Sequence, residues 1–332
     1  MEENKFPMVS FIMPVLDEEN TIRQCLNSIL DLDYPKDKIE ILVAEGHSKD
    51  NTHKILKEYV NKYKNIKLLK NPNGNTSIGR NICIEHATGD MLMNYSGHVM
   101  AEKNLLKILA LKLSKLPKEI VAVGCSNISP EKQNFVAKLS GIVFSSFMGG
   151  KNFFVQNAEF DKERFSDHVS FACYRRKPVE DVGNFDPEFW CGQDAELDLR
   201  LLNAGYKILY TPETKVYHFK RSTVKSLFRQ MYRYGIARAK MVKKHPKTLK
   251  IFHLLGPGFI TGIILFFILT IFNILPVWFI SILALSYVFL SIISSFQVTK
   301  NPSLVLSSIL FYLLVHVGYG LGFIRGIFYD KL

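Results

Sequence analysis

From Ile251 to Thr299 the chain carries no Asp, Glu, Lys or Arg, and after Lys300 the next such residue is Arg325. A stretch that long without charge constrains folding more than any other feature, because only a bilayer or a large buried core absorbs it. Two segments, about Leu254 to Leu275 and Val277 to Phe296, each reach the roughly 20 residues needed to span hydrocarbon, and Ser303 to Ile324 makes a third. Gly256, Pro257 and Gly258 would weaken a soluble helix but are tolerated in membrane helices. A buried core helix would explain any one of these segments. Three in succession predict a membrane region over 251–332 with about three transmembrane helices.

Charge is as unevenly distributed as hydropathy. The formal net charge is +12, and between Lys215 and Lys250 stand twelve Lys or Arg residues with no Asp or Glu. Such a block can bind nucleic acid. Here it abuts the first apolar segment, where cytoplasmic flanks collect Lys and Arg and anionic headgroups attract them. A basic amphipathic helix at the membrane interface over 223–250 is therefore expected, with lipid and not nucleic acid as its partner. The large N-terminal part then lies in the cytoplasm of a multi-pass cell-membrane protein, and three spans put the short C-terminus outside. Lys300 in the second loop and the uncharged Asn273–Pro276 loop agree with that orientation. The five cysteines are scattered and form no Cys-x-x-Cys pair, as expected of reduced thiols. No signal peptide is read at the start, which leads directly into a strand.

In the N-terminal part apolar runs alternate with helical spacing. Strands are expected at Val9–Val15, Ile39–Ala44, Ile66–Leu69, Met91–Tyr95 and Ile120–Gly124, and helices at Thr21–Leu30, Thr52–Tyr63, Ile78–Ala87 and Leu105–Leu116. That order implies an α/β fold with a mainly parallel sheet and ligands at the carboxyl ends of its strands. Polar and acidic residues gather at those ends: Asp17-Glu18-Glu19, Glu45 to Asp50, and Ser96-Gly97-His98. Phe135 to Met148 has helical apolar spacing and reads equally as a core helix or an interfacial one. Further on, Asp194, Glu196 and Asp198 crowd the start of a helix that bears Leu197, Leu201 and Leu202. Acids at a helix start are stabilising there. A carboxylate between an α/β half and a basic, membrane-flanking helix is also a candidate general base.

The chain strongly resembles family 2 glycosyltransferases, and within them the membrane-anchored, succinoglycan-biosynthesis-type subgroup. The matching pieces are Met-Pro-Val-Leu-Asp-Glu-Glu (13–19), Ala-Glu-Gly-His-Ser-Lys-Asp-Asn-Thr (44–52), Gly-Arg-Asn (79–81), Ala-Thr-Gly-Asp (87–90) and Gly-Asn-Phe-Asp (183–186). Gln-Asp-Ala-Glu-Leu (193–197), Gln-Met-Tyr-Arg-Tyr-Gly (230–235), Lys-Lys-His-Pro (243–246) and Gly-Tyr-Gly-Leu-Gly (318–322) complete the series. The resemblance implies a nucleotide-sugar-binding, Rossmann-like catalytic domain over 1–222, ahead of the basic helix and the membrane region.

It also implies roles. Pro14, Val15, Asp17 and Glu18 would line the base and ribose pocket. Glu45, where the family usually has Asp, would contact the same groups. Asp50, Arg80 and Ser96 would shape the nucleotide-sugar and phosphate site. Asp194 matches the general base, with Glu196 in support. Gln193, Gln230, Arg233 and Tyr234 would grip the leaving diphosphate and the acceptor, the last three as a Gln-x-x-Arg-Trp motif with Tyr in place of Trp. An Arg suits phosphate because its planar fork bonds oxygens in pairs.

One departure stands out. The family normally ends its fourth strand with Asp-x-Asp or Asp-x-His, whose acids hold Mg²⁺ or Mn²⁺ on the diphosphate; here the residues are Ser96-Gly97-His98. Hard divalent cations favour oxygen ligands, and a hydroxyl replaces a carboxylate poorly. Three outcomes stay open: His98 and His218 hold a softer ion such as Mn²⁺, cationic side chains neutralise the diphosphate without metal, or catalysis is lost. The expectation is an inverting enzyme of polysaccharide or cell-envelope biosynthesis. It would transfer a hexose-type sugar from a UDP- or GDP-linked donor to a lipid-linked or glycan acceptor at the cytoplasmic face. The alternatives are a polyprenyl-phosphate sugar synthase and an inactive membrane scaffold.

Overall fold

A computed structural model of the chain describes residues 6–130, 132–149 and 161–329. The leader-free start expected at residues 1–5 lies outside the described residues. The chain divides into two compact units, Met1–Pro130 with Ala158–Phe219, and Glu131–Asn157 with Lys220–Leu332.

The first unit begins with the expected alternation: β1 (Val9–Val15), α1 (Ile22–Leu30), β2 (Ile39–Glu45), α2 (Thr52–Lys62), β3 (Ile66–Lys70), α3 (Thr76–His86) and β4 (Met91–Asn94). β1 pairs in parallel with β2 and β4, and β2 with β3. Successive side chains of a strand face opposite ways. Phe11 and Met13 thus enter one apolar cluster with Ile22, Leu26 and Leu109, while Ile12 enters another with Leu42, Leu92, Leu197 and Leu201. Both faces are covered, which is why these strands read as unbroken apolar runs.

The rest of the sheet is less regular. β5 (Val99–Ala101), α4 (Leu105–Lys115) and β6 (Ile120–Ile128) follow; α5 (Phe135–Ser145) belongs to the second unit; then come β7 (Arg164–Phe165), β8 (Cys173–Arg175), α6 (Arg176–Asp181), α7 (Gln193–Asn203) and β9 (Lys207–His218). The strand order is β3-β2-β1-β4-β8-β6-β9-β5, with β7 on β9. β8 runs antiparallel to both β4 and β6, and β9 is parallel to β6. The carboxyl ends of β1, β2, β4, β6 and β9 therefore share one edge. One expected strand lengthens, β6 continuing to Ile128, and β9 is a twelve-residue strand ending at His218.

The second unit is helical: α5, α8 (Val224–Lys244), α9 (Leu255–Ile271), α10 (Phe279–Phe296) and α11 (Pro302–Phe328). Three helical segments, Ile251–Ile271, Phe279–Phe296 and Pro302–Phe328, are long and apolar enough to cross a membrane. α5 packs into this unit: Val143 and Phe144 share a core with Leu227, Met231, Tyr312, Val315 and Phe323. α8 and α11 approach at backbone distance, because Gly318, Gly322 and Gly326 of α11 face Met231, Tyr232 and Ile236, and Gly235 of α8 faces Tyr319. Small residues four apart permit such contact between helices. Thr223 caps α8 through a reciprocal pair with Ser226.

Candidate active site

The acidic loop after β1 is laced to the loop after β2. Ser48 Oγ accepts the Asp17 N–H (3.0 Å) and Asp17 Oδ1 accepts the Lys49 N–H (2.7 Å). Thr52 Oγ1 accepts from Glu18 N–H and Asp50 Oδ2 from Glu19 N–H, at 2.7 and 3.1 Å. Asp17 holds a positive φ of 54° to make this turn. Pro14 is half-buried, Val15 is buried, and Asp17 is exposed on the rim.

Glu45 is 6% exposed, and its oxygens meet Ser48 N–H (2.6 Å) and His53 Nδ1 (3.2 Å). Burial pushes its carboxyl up, but these bonds outweigh it and hold the group below the usual carboxylate range. The same balance of burial against bonds from Thr52 and Glu19 lowers Asp50. Glu45 and Asp50, the residues expected at the nucleotide, also brace the two loops that form the rim.

At the end of β4, Glu18 Oε1 lies 2.7 Å from His98 Nδ1, and Glu18 Oε2 accepts from Thr21 Oγ1. The His98 ring stacks on His218, the last residue of β9, with centroids 5.0 Å apart. The two expected metal residues are thus brought together, beside Ser96, which is half-buried. A resident hard divalent cation does not fit this donor set. Ser96 offers a hydroxyl where a carboxylate is needed, and among the described residues no group of three His, Cys, Asp or Glu is placed to hold an ion. No step is routed through a metal below.

Asp194 opens α7. Gly192, in the left-handed region (φ 68°), makes the turn that aims the helix start, a conformation glycine adopts without strain. The preceding loop is clamped by α3: Asn75 Nδ2 and Ser77 Oγ donate to the carbonyls of Pro187 and Phe189, and Asn81 exchanges bonds with both polar groups of the Phe185 backbone. Arg80 is 4% exposed, donates from Nε to Asn94 Oδ1 at 2.5 Å, and lies over the Phe185 ring. Its charge bears on Asp194, while burial pulls the guanidinium below its ordinary value. Asn94 ends β4, so this contact sets the α7 start beside the shared carboxyl edge. Arg80, the residue expected at the phosphate site, is a buried cation whose charge is felt by Asp194.

The three acids of α7 separate in role. The Asp194 side chain is 20% exposed and its Oδ1 accepts the Ala195 N–H. Glu196 is fully buried, paired through both oxygens with Arg200, which donates to the carbonyls of Val182 and Asn184. The carboxylate of Glu196, the expected support for the base, pairs with Arg200, and through Arg200 the helix start is tied to the Val182 and Asn184 carbonyls. Asp198 is fully buried and meets His168, a residue that no motif singled out. The signal was available: Asp198 lies one turn after Asp194 on the stripe of Leu197 and Leu201, and an acid on a buried stripe needs a partner. Gln193 is 7% exposed and its side-chain oxygen has no hydrogen-bond partner among the described residues.

Gln230, Arg233 and Tyr234 belong to the second unit. Gln230 Nε2 donates to Tyr234 OH at 3.1 Å across one turn of α8, and Arg233 is exposed.

A mixed sheet with acids along its carboxyl edge, and a part-exposed carboxylate at a clamped helix start, is the arrangement of a nucleotide-sugar transferase. The family model described as glycosyl transferase family 2 matches residues 10–183, and that of glycosyl transferase family group 2 matches 100–322. The chain belongs to glycosyl transferase family 2. It is 30% identical over 243 residues to a dolichyl N-acetyl-alpha-D-glucosaminyl phosphate 3-beta-D-2,3-diacetamido-2,3-dideoxy-beta-D-glucuronosyltransferase of Methanococcus voltae, covering 71% of this chain and 74% of that one. It is 25% identical over 246 residues to the succinoglycan biosynthesis protein ExoA of Rhizobium meliloti, covering 70% of each. The fold matches a mannosyltransferase from Pyrobaculum calidifontis, solved with GDP-Man and Mn²⁺, at a TM-score of 0.63 and 16% identity over 95% of this chain and 87% of that one. The protein is a glycosyltransferase.

Proposed function

We propose that the protein is a membrane-bound inverting glycosyltransferase, moving a sugar from a UDP- or GDP-linked donor to a lipid-linked or polysaccharide acceptor at the cytoplasmic membrane face. The observation that carries this reading is Asp194, a part-exposed carboxylate at a helix start clamped against the carboxyl edge of the sheet. In this reading Asp194 takes the proton of the acceptor hydroxyl as that oxygen bonds to the anomeric carbon, while the bond from that carbon to the diphosphate breaks. One displacement inverts the carbon and needs one base.

The acceptor class draws support from the Methanococcus voltae relative, whose name specifies a dolichyl-phosphate-linked sugar, and from the succinoglycan protein. Donor class draws support from the GDP-Man complex of the Pyrobaculum calidifontis enzyme. Membrane attachment draws support from the three long apolar helices and the basic helix ahead of them. In the proposed organisation the first unit binds donor, and the basic helix α8 lies against anionic lipid headgroups.

The test supplies UDP-, GDP- and dTDP-sugars to native membranes containing the protein and follows extracted products by mass spectrometry. A sugar added to a lipid-linked or polymeric glycan is expected. A lipid monophosphate bearing a single sugar would favour the polyprenyl-phosphate sugar synthase instead, and donor binding without turnover would favour a scaffold.

A further inference from the structure

His168 stands between two carboxylates of α7 and has no part in the chemistry given so far. Its Nδ1 lies 2.6 Å from Asp198 Oδ2, and its Nε2 lies 3.8 Å from Asp194 Oδ2. Asp198 also accepts the Tyr174 hydroxyl at 2.8 Å and the Val169 N–H at 3.3 Å. A buried carboxylate fixed by several donors fixes the ring that bonds to it, and with that bond the tautomer. With Nδ1–H given to Asp198, the neutral ring presents the lone pair of Nε2 to Asp194.

We propose that His168 acts through Asp194, taking over at Nε2 the proton that Asp194 removes from the acceptor. This rests on the base role of Asp194 proposed above. The step balances: the acceptor O–H breaks, its oxygen bonds to the anomeric carbon, the diphosphate leaves with the electron pair, and the proton passes from acceptor to Asp194 to His168. Product release returns it to water. The 3.8 Å separation is ion-pair reach, not a hydrogen bond, and unliganded sites commonly tighten on binding substrate.

The groups facing His168 favour this traffic. Asp194 and Asp198 come from α7, Tyr174 from β8, and Arg80 from α3 bears on Asp194 and Tyr174. Burial raises the Asp198 carboxyl above its ordinary value, against the hydrogen bonds it accepts from His168 and Tyr174. An imidazolium formed on His168 relieves that buried charge when the proton arrives.

The test measures kcat and KM against pH for the full-length protein in detergent, using the UDP- or GDP-sugar and lipid acceptor that support turnover in native membranes. His168→Asn keeps an N–H for Asp198 but has nothing at Nε2. The expected result is a fall in kcat of about 10- to 100-fold with KM changed less than about twofold, and loss of the acid limb along which His168 protonates before turnover. Wild-type kcat, or a fall with the acid limb unchanged, would overturn the proposal. Should His168→Asn not fold, Asp198→Asn removes the anion at equal volume; the acid limb is then expected to move to lower pH, and an unmoved limb overturns the proposal. Asp194→Asn separates the two readings. If it still turns over, the base assignment fails; if it is inactive while His168→Asn is normal, only the His168 proposal fails.

Discussion

Glu40 shows how much of a motif can be scaffold. It is 4% exposed and accepts from Ser10 Oγ at 2.6 Å and from the Thr88 backbone and hydroxyl, while Gly89 N–H donates to Ser10 Oγ. Ala-Thr-Gly-Asp (87–90) thus closes the amino ends of β1 and β2, far along the strands from the rim. Burial raises the Glu40 carboxyl, but the bonds from Ser10 and Thr88 and the charge of Lys67 outweigh it and hold it below the usual range. A carboxyl whose folded pKa lies below its unfolded value, about 4.3 for Glu, stabilises above that value and loses the contribution as pH falls through the folded pKa. Thermal midpoints should therefore drop as pH falls from about 5 towards 3, with Glu45 and Asp50 adding to the slope. Glu40→Gln should lower the midpoint at neutral pH and flatten that slope; an undiminished slope would contradict the assignment. At this scale sequence located the acids but not their partners. The partners of Glu45, Asp50 and Glu196 were not legible because residue type and spacing carry no information about which way a carboxylate turns. His168 escaped notice because a single histidine in a loop between two short strands has no pattern.

Elements were more legible than side chains. β1 to β4 and α1 to α4 follow from periodicity alone, to within two residues at each end, because parallel strands buried on both faces and amphipathic helices leave strong signals. β5, β7 and β8 have two or three residues each, too few for any period, so the antiparallel insertion of β8 between β4 and β6 could not be read. α7 was recognisable, yet its placement depends on α3, more than a hundred residues earlier. Asn81 holds the Phe185 backbone by bonds of 2.7 and 3.0 Å. Asn81→Ala leaves those groups unpaired, and should cost about 1–3 kcal/mol of stability. Because the clamp orients Asp194, turnover should fall by at least about tenfold with donor affinity nearly unchanged. Circular dichroism melts and steady-state kinetics check both; a melt shift without a kinetic effect would separate the clamp from the site.

The whole molecule joins a nucleotide-sugar-type sheet to a basic helix and three apolar ones. Sequence displayed this division directly, since 49 residues without a charge have few alternatives. It did not display that α5 packs with the apolar helices, because the apolar spacing of Phe135 to Met148 suits a soluble core and an interfacial helix alike. Nor did it display the glycine ridge of α11, whose meaning depends on α8 lying against it. The central claim is that the assembled protein transfers sugar with Asp194 as the base that activates the acceptor. Single-turnover transfer by purified protein with donor prebound tests it most directly. Asp194→Asn should bind the nucleotide sugar as wild type does and lose transfer by about 10²–10⁴-fold, the range of a general base. Transfer by Asp194→Asn at the wild-type rate would contradict the account.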